Sequence, residues 1–249
     1  MLIHGIGSDW RMWQPVLPRL APTRDTIALD LPGYGDSPRT GMGARSGIGA
    51  LADVVEGFLD QFGLPTAHLA GNSMGGWVAL ELARRGRART ATLLSPAGFY
   101  NNPEGVFVRA SLLFSARISR RLAPDAERVT ASRLRRTVLF AQFMGRPWRL
   151  PAHHAAHMMR VFASAPGFDA DLAAITEFRF AGPLALADVP VTIGWGSRDR
   201  LLLPWQGRRA VRALPGSRLV PLPGVGHVPT HDDPELVADL LLEGSTTTG

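Results

Sequence analysis

A serine set among glycines, Gly71-Asn72-Ser73-Met74-Gly75-Gly76, is the stretch of this chain best suited to covalent chemistry. It follows a strand-like run, Thr66 to Ala70, and opens a helical one, Trp77 to Ala83, so Ser73 sits where a strand turns sharply into a helix. Such a turn is a nucleophile elbow: it strains the serine backbone, and Gly71 and Gly75 are the positions where a side chain would collide. A serine hydroxyl held this way attacks an electrophilic carbon once a base takes its proton. In a chain with 27 glycines the G-x-S-x-G pattern alone is weak, and its surroundings must decide.

The surroundings alternate between strands and helices. Met1 to His4 reads as the end of a buried strand, followed by a Gly5-Ile6-Gly7-Ser8 loop and a helix from near Trp10. Thr26 to Asp30 is a second apolar strand, and turn-rich sequence from Leu31 to about Gly47 leads into a helix over 48–62. There Leu51, Val54, Val55, Phe58, Leu59 and Phe62 form an apolar stripe predicted to face the sheet. Thr90 to Ser95, Val191 to Trp195 and Arg218 to Leu222 are further strands; helices follow near 205–214 and 234–243, and Gly244 to Gly249 reads as a loose tail. This alternation predicts an α/β fold, a doubly wound and mostly parallel sheet of about six strands. From Phe99 to about Pro183 the pattern turns helical and Pro-punctuated, which predicts a helical cap at 99–183 inserted into a core made of 1–98 and 184–249.

Composition bounds the function classes. Hydrophobic residues make up 45% and charged residues 19%, as in a folded globular protein rather than a disordered one. No apolar run reaches bilayer length and the first residues lack a secretory pattern, so stable membrane insertion is not expected and the expected location is cytoplasmic. With no cysteine there is no thiol nucleophile or thiolate metal site. The net charge of +6 comes from 27 arginines and no lysine, and ten of the arginines fall between Arg109 and Arg149, where the only acids are Asp125 and Glu127. That segment reads first as a solvated helical face, with anionic substrates or an acidic membrane surface as the alternative. Nucleic acid is not expected, because no binding motif accompanies the charge.

Over nearly its whole length the chain resembles the α/β-hydrolase superfamily. The matching pieces occur in that superfamily's order: His4-Gly5, Asp30-Leu31-Pro32-Gly33-Tyr34-Gly35-Asp36-Ser37, the elbow, Gly196-Ser197-Arg198-Asp199, and Gly226-His227. The resemblance implies Ser73 as nucleophile, Asp199 as acid and His227 as base, with the backbone N–H groups of Ile6 and Met74 as the oxyanion hole. Strand topology agrees, since loops at the carboxyl ends of neighbouring parallel strands converge on one crevice and each of the three residues follows such an end. Asp30 is a competing acid, though its setting reads as turn construction, and ion pairing with Arg198 or Arg200 is the competing role for Asp199. Among the histidines, His4 is expected to organise the Gly5–Gly7 loop, and His231 to have a surface or capping role ahead of a helix capped by Asp233. His153, His154 and His157 lack the carboxylate of an H-E-x-x-H site; neither metal nor cofactor is implied.

The resemblance implies a serine hydrolase of carboxylesterase type acting with water on a small apolar ester or other acyl substrate. The elbow is also similar to that of carbon–carbon bond hydrolases of ring-cleavage products, but those relatives carry Trp after the catalytic histidine, where this chain has Val228. A non-catalytic binding protein on the same scaffold is the third reading. Superfamily members also begin with two further strands, so Met1 to Ile3 suggests a shortened or late-starting sequence with Thr26 to Asp30 at an open sheet edge.

Overall fold

A computed structural model describes residues 1–39, 46–177, 186 and 189–246. In chain order its elements are β1 (Leu2–Ile3), a 3-10 turn (Trp10–Trp13), α1 (Leu17–Leu20), β2 (Ala28–Leu29), α2 (Ile48–Gln61), β3 (Ala67–Asn72), α3 (Met74–Arg84) and β4 (Ala88–Leu94). Five helices follow, α4 (Asn102–Leu122), α5 (Ala126–Thr130), α6 (Arg133–Phe140), α7 (Ala152–Ser164) and α8 (Phe168–Glu177). The chain then returns through β5 (Val191–Gly196), α9 (Gln206–Ala213), β6 (Arg218–Leu222) and α10 (Pro234–Gly244).

The six strands pair in the order β2-β1-β3-β4-β5-β6, every pair parallel. Because strand side chains alternate between faces, neighbouring residues enter different cores. Ile3, Leu69 and Leu93 join one apolar cluster with α2, α3 and α9, while Leu2, Ala70 and Leu94 join a second with α1 and α10. This is the doubly wound α/β architecture expected from the sequence. The helices between β4 and β5 divide in their packing: Val108, Leu112 and Phe168 extend the first cluster, whereas Val129, Phe140 and Met159 belong to a small core of their own.

Several elements differ locally from expectation. The helix near Trp10 is one 3-10 turn, with the Asp9 carboxylate accepting the Arg11 N–H at 3.1 Å. The strand over 26–30 pairs only through Ala28 and Leu29, since it lies at the sheet edge with β1 as its neighbour. On α2, Leu51, Val55 and Leu59 are fully buried, each contributing about 1.5–3 kcal/mol. Phe62 follows the helix end, exposed, with its ring 4.5 Å from that of Phe58. The expected cap boundary at 183/184, part of the loop before Gly47 and the last tail residues lie outside the described residues. Among the described residues, no helix is long and apolar enough to cross a membrane.

Candidate active site

Ser73 links β3 to α3 with φ 55° and ψ −116°, a positive φ that costs a non-glycine residue roughly 1–3 kcal/mol. The surrounding backbone over-determines the turn. Ser73 N–H donates to the Leu94 carbonyl at 3.0 Å, and its own carbonyl accepts from Ala97 at 3.0 Å. A Cβ on Gly75 would run into the carbonyls of Ile3 and His4, and one on Gly71 into Gly75 itself. Glycine at these two places is therefore what lets β1, β3 and α3 meet so closely.

Asp199, in the turn after β5, and His227, in the loop after β6, are both buried and joined through Asp199 Oδ2 and His227 Nδ1 at 2.8 Å. The other carboxylate oxygen accepts the N–H groups of Leu201 and Leu202 at 2.9 and 2.8 Å. An acceptor facing Nδ1 assigns the proton to that nitrogen and leaves Nε2 as the basic one. The competing role for Asp199 is not found: Arg198 and Arg200 donate instead to the carbonyls of Gly145 and Ala141 at 3.3 and 2.9 Å.

Ser73 and His227 line one cavity of about 630 Å³, together with Ile6, Leu112, Phe143 and Phe162. Among the described residues no hydrogen bond joins Ser73 Oγ to the imidazole; such contacts commonly tighten only when substrate is present. Neither the Ile6 nor the Met74 N–H has an acceptor among the described residues, and Met74 is the first residue of α3, where the helix dipole favours negative charge.

His4 is buried and accepts the Leu31 N–H through Nε2 at 2.9 Å, so Nδ1 carries the proton donated to the Gly5 carbonyl at 2.7 Å. Burial lowers its pKa and favours this neutral ring. It thus pins the Gly5–Gly7 loop, as its position suggests. Asp30 accepts from Trp10 N at 2.7 Å and Asp36 N at 2.9 Å, which is turn construction. Asp233 caps α10 by accepting from Leu236 N at 3.1 Å.

Other residues take parts that the sequence had not assigned to them. Asn72 Nδ2 donates to the His227 carbonyl at 2.9 Å and the Leu94 carbonyl at 3.0 Å, tying the elbow to the histidine loop. His231, expected at the surface or in a cap, instead lines the cavity with its ring 5.2 Å from that of His154 on α7. Burial, then repulsion from His154, pulls its pKa down to about 4. His157 reaches from α7 to the Asp9 carboxylate at 2.6 Å, joining the helical segment to the loop that carries Ile6. Among the described residues, no group of three His, Asp or Glu is placed to hold a metal ion.

Residues 1–240 match the sequence model of the Alpha/beta hydrolase family. The chain belongs to that family. Among its relatives is epoxide hydrolase EphH of Mycobacterium tuberculosis, 34% identical over 198 residues that span 77% of this chain and 91% of the relative. A pimeloyl-[acyl-carrier protein] methyl ester esterase of Neisseria meningitidis is 30% identical, covering 96% of this α/β hydrolase and 90% of its own length. A solved thermophilic esterase from Thermogutta terrifontis superposes with a TM-score of 0.73 at 26% identity, covering 97% of this chain and 87% of the other. These likenesses support hydrolytic activity.

Proposed function

We propose that this α/β hydrolase is a serine hydrolase that cleaves a carboxylic ester, or a similar acyl bond, of a small apolar substrate through an acyl-enzyme. Ser73 is its nucleophile, His227 its base and Asp199 its acid, with the N–H groups of Ile6 and Met74 as oxyanion hole. Residues 1–98 and 184–249 are the catalytic core, and 99–183 the cap that shapes the pocket. The observation that carries this reading is the buried Asp199–His227 hydrogen bond beside a strained serine on the wall of the same cavity.

In this reading Ser73 Oγ attacks the acyl carbon while His227 Nε2 takes its proton, and Asp199 stabilises the imidazolium. Collapse of the tetrahedral oxyanion breaks the ester bond, and the alcohol leaves with the proton from His227. Water then attacks the acyl-enzyme, His227 again accepting and returning the proton, which frees the carboxylic acid and Ser73. The apolar side chains around the cavity favour an apolar substrate.

The activity named for the mycobacterial relative does not carry over. Opening an epoxide through an enzyme-bound ester uses a carboxylate nucleophile, and the elbow here presents Ser73.

A serine-directed phosphonate is expected to label the intact protein and not its Ser73→Ala variant, and short- and medium-chain aryl esters to be hydrolysed. Faster turnover of a ring-cleavage dienoate than of the esters would favour the carbon–carbon bond hydrolase. No labelling, with ligand binding unchanged in Ser73→Ala, would mark a non-catalytic binding protein.

A further inference from the structure

The solvent side of α4 and α6 carries bulky apolar side chains that stand largely in solvent. On α4, Val106 is 70% exposed and Phe114 66%; on α6, Leu134 is 73% exposed and Val138 69%. Phe107 and Phe114 are seven residues apart, and Leu134 and Val138 four, so each pair lies along one helix face. Phe114 and Val138 also line the cavity that holds Ser73 and His227. A residue that both lines a cavity and stands in solvent lies at its mouth, so the mouth opens between α4 and α6 through an apolar rim.

Charge surrounds this rim. Arg117 and Arg121 continue the Phe114 face of α4, Arg109 lies on the exposed side of the same helix, and Arg133 and Arg135 flank Leu134. Among the described residues none of these five forms an ion pair, while the core binds arginines such as Arg39, Arg85 and Arg87 to carboxylates. Exposed apolar side chains bordered by unpaired arginines suit a surface that is apolar below and anionic above. Arginine stems lie along such a surface while their guanidinium groups meet its phosphates.

We propose that the α4–α6 face docks on an anionic lipid–water interface, so that apolar substrates pass from the lipid directly into the cavity. A lipid surface fits better than an acidic protein, because the apolar residues stand on two separate helices around an open mouth and form no single groove. It is also where an apolar ester concentrates. The delivery of substrate rests on the hydrolase reading, whereas the docking itself does not.

The test is cosedimentation of the full-length Ser73→Ala protein with vesicles of phosphatidylcholine alone, or mixed with phosphatidylglycerol. Binding is expected to be at least about tenfold stronger on the anionic vesicles and to weaken about tenfold in Arg117→Gln/Arg121→Gln and with added salt. Val106→Ser/Phe107→Ser, which leaves the cavity wall untouched, should bind as weakly. Both double variants, with Ser73 intact, should hydrolyse a water-soluble aryl ester at the parent rate and an ester dissolved in anionic vesicles more slowly. Equal binding to neutral and anionic vesicles, or parent-like binding by both double variants, would overturn the proposal. So would a dimer in sedimentation velocity that Val106→Ser/Phe107→Ser dissociates, which would assign the face to a second copy of the chain. Vesicle binding without any esterase activity would overturn the hydrolase reading and leave the docking surface standing; esterase activity without vesicle binding would do the reverse.

Discussion

The Asp232 carboxylate accepts the Gly226 N–H at 2.8 Å, one peptide before His227. The same oxygen accepts from Gly145 at 2.7 Å and the other from Arg146 at 2.7 Å, so one side chain joins the histidine loop to the turn after α6. Burial pushes this carboxyl above its usual range, and the three N–H donors oppose that shift by favouring the charged form. The contact is tightened by glycine: a Cβ on Gly226 would strike Gly145 N and Met144.

Asp232→Ala leaves three N–H groups in a buried cluster without their acceptor. We expect a loss of about 3 kcal/mol in denaturant unfolding. Because the loop that carries His227 loses its tether, turnover of an aryl ester should fall by about tenfold or more with little change in KM, read from steady-state kinetics.

Asp199→Asn separates the role of charge from that of shape. If the amide oxygen keeps the N–H groups of Leu201 and Leu202, its NH2 faces His227 Nδ1, which must then accept. The proton moves to Nε2, the nitrogen that takes the Ser73 proton in the proposed mechanism. Turnover should drop by about three to four orders of magnitude with the fold intact, checked by kinetics beside circular dichroism.

Gly75→Ala puts a methyl group against the carbonyls of Ile3 and His4, backbone that cannot move without disturbing β1. A destabilisation of about 3 kcal/mol, or failure to accumulate as soluble protein, is expected. Gly63→Ala serves as a control, since a Cβ there meets nothing and only its φ of 65° is unfavourable; it should cost about 1 kcal/mol.

His231 gives the fold an acid sensitivity of known sign. Its folded pKa is pulled down to about 4, against roughly 6.5 in the unfolded chain. Between those values the unfolded chain holds more protons, so stability falls as pH is lowered from about 6.5 toward 4. The contribution is at most about 3 kcal/mol, and a His231→Gln variant should show a flatter stability profile across that window in unfolding titrations.

Much of this molecule was legible in the sequence because it depends on near neighbours. The elbow is set by Gly71, Ser73 and Gly75 within five residues, Asp233 caps the helix that follows it by accepting an N–H three residues on, and the strands show as short apolar runs. The roles proposed for Ser73, Asp199 and His227 come from a resemblance in which each residue follows its own strand. Tertiary structure decided the rest. Nothing near Asp232 in sequence announces that it will bind Gly145, and nothing near His231 places it against His154 in the cavity. Along α4, packing buries Val108 and Leu112 and leaves Val106 and Phe114 outside. Local pattern selects an element and its turns through backbone sterics and side-chain period. Which face is covered, and which distant carboxylate meets which N–H, depends on contacts between segments far apart in the chain, and only the folded arrangement holds them.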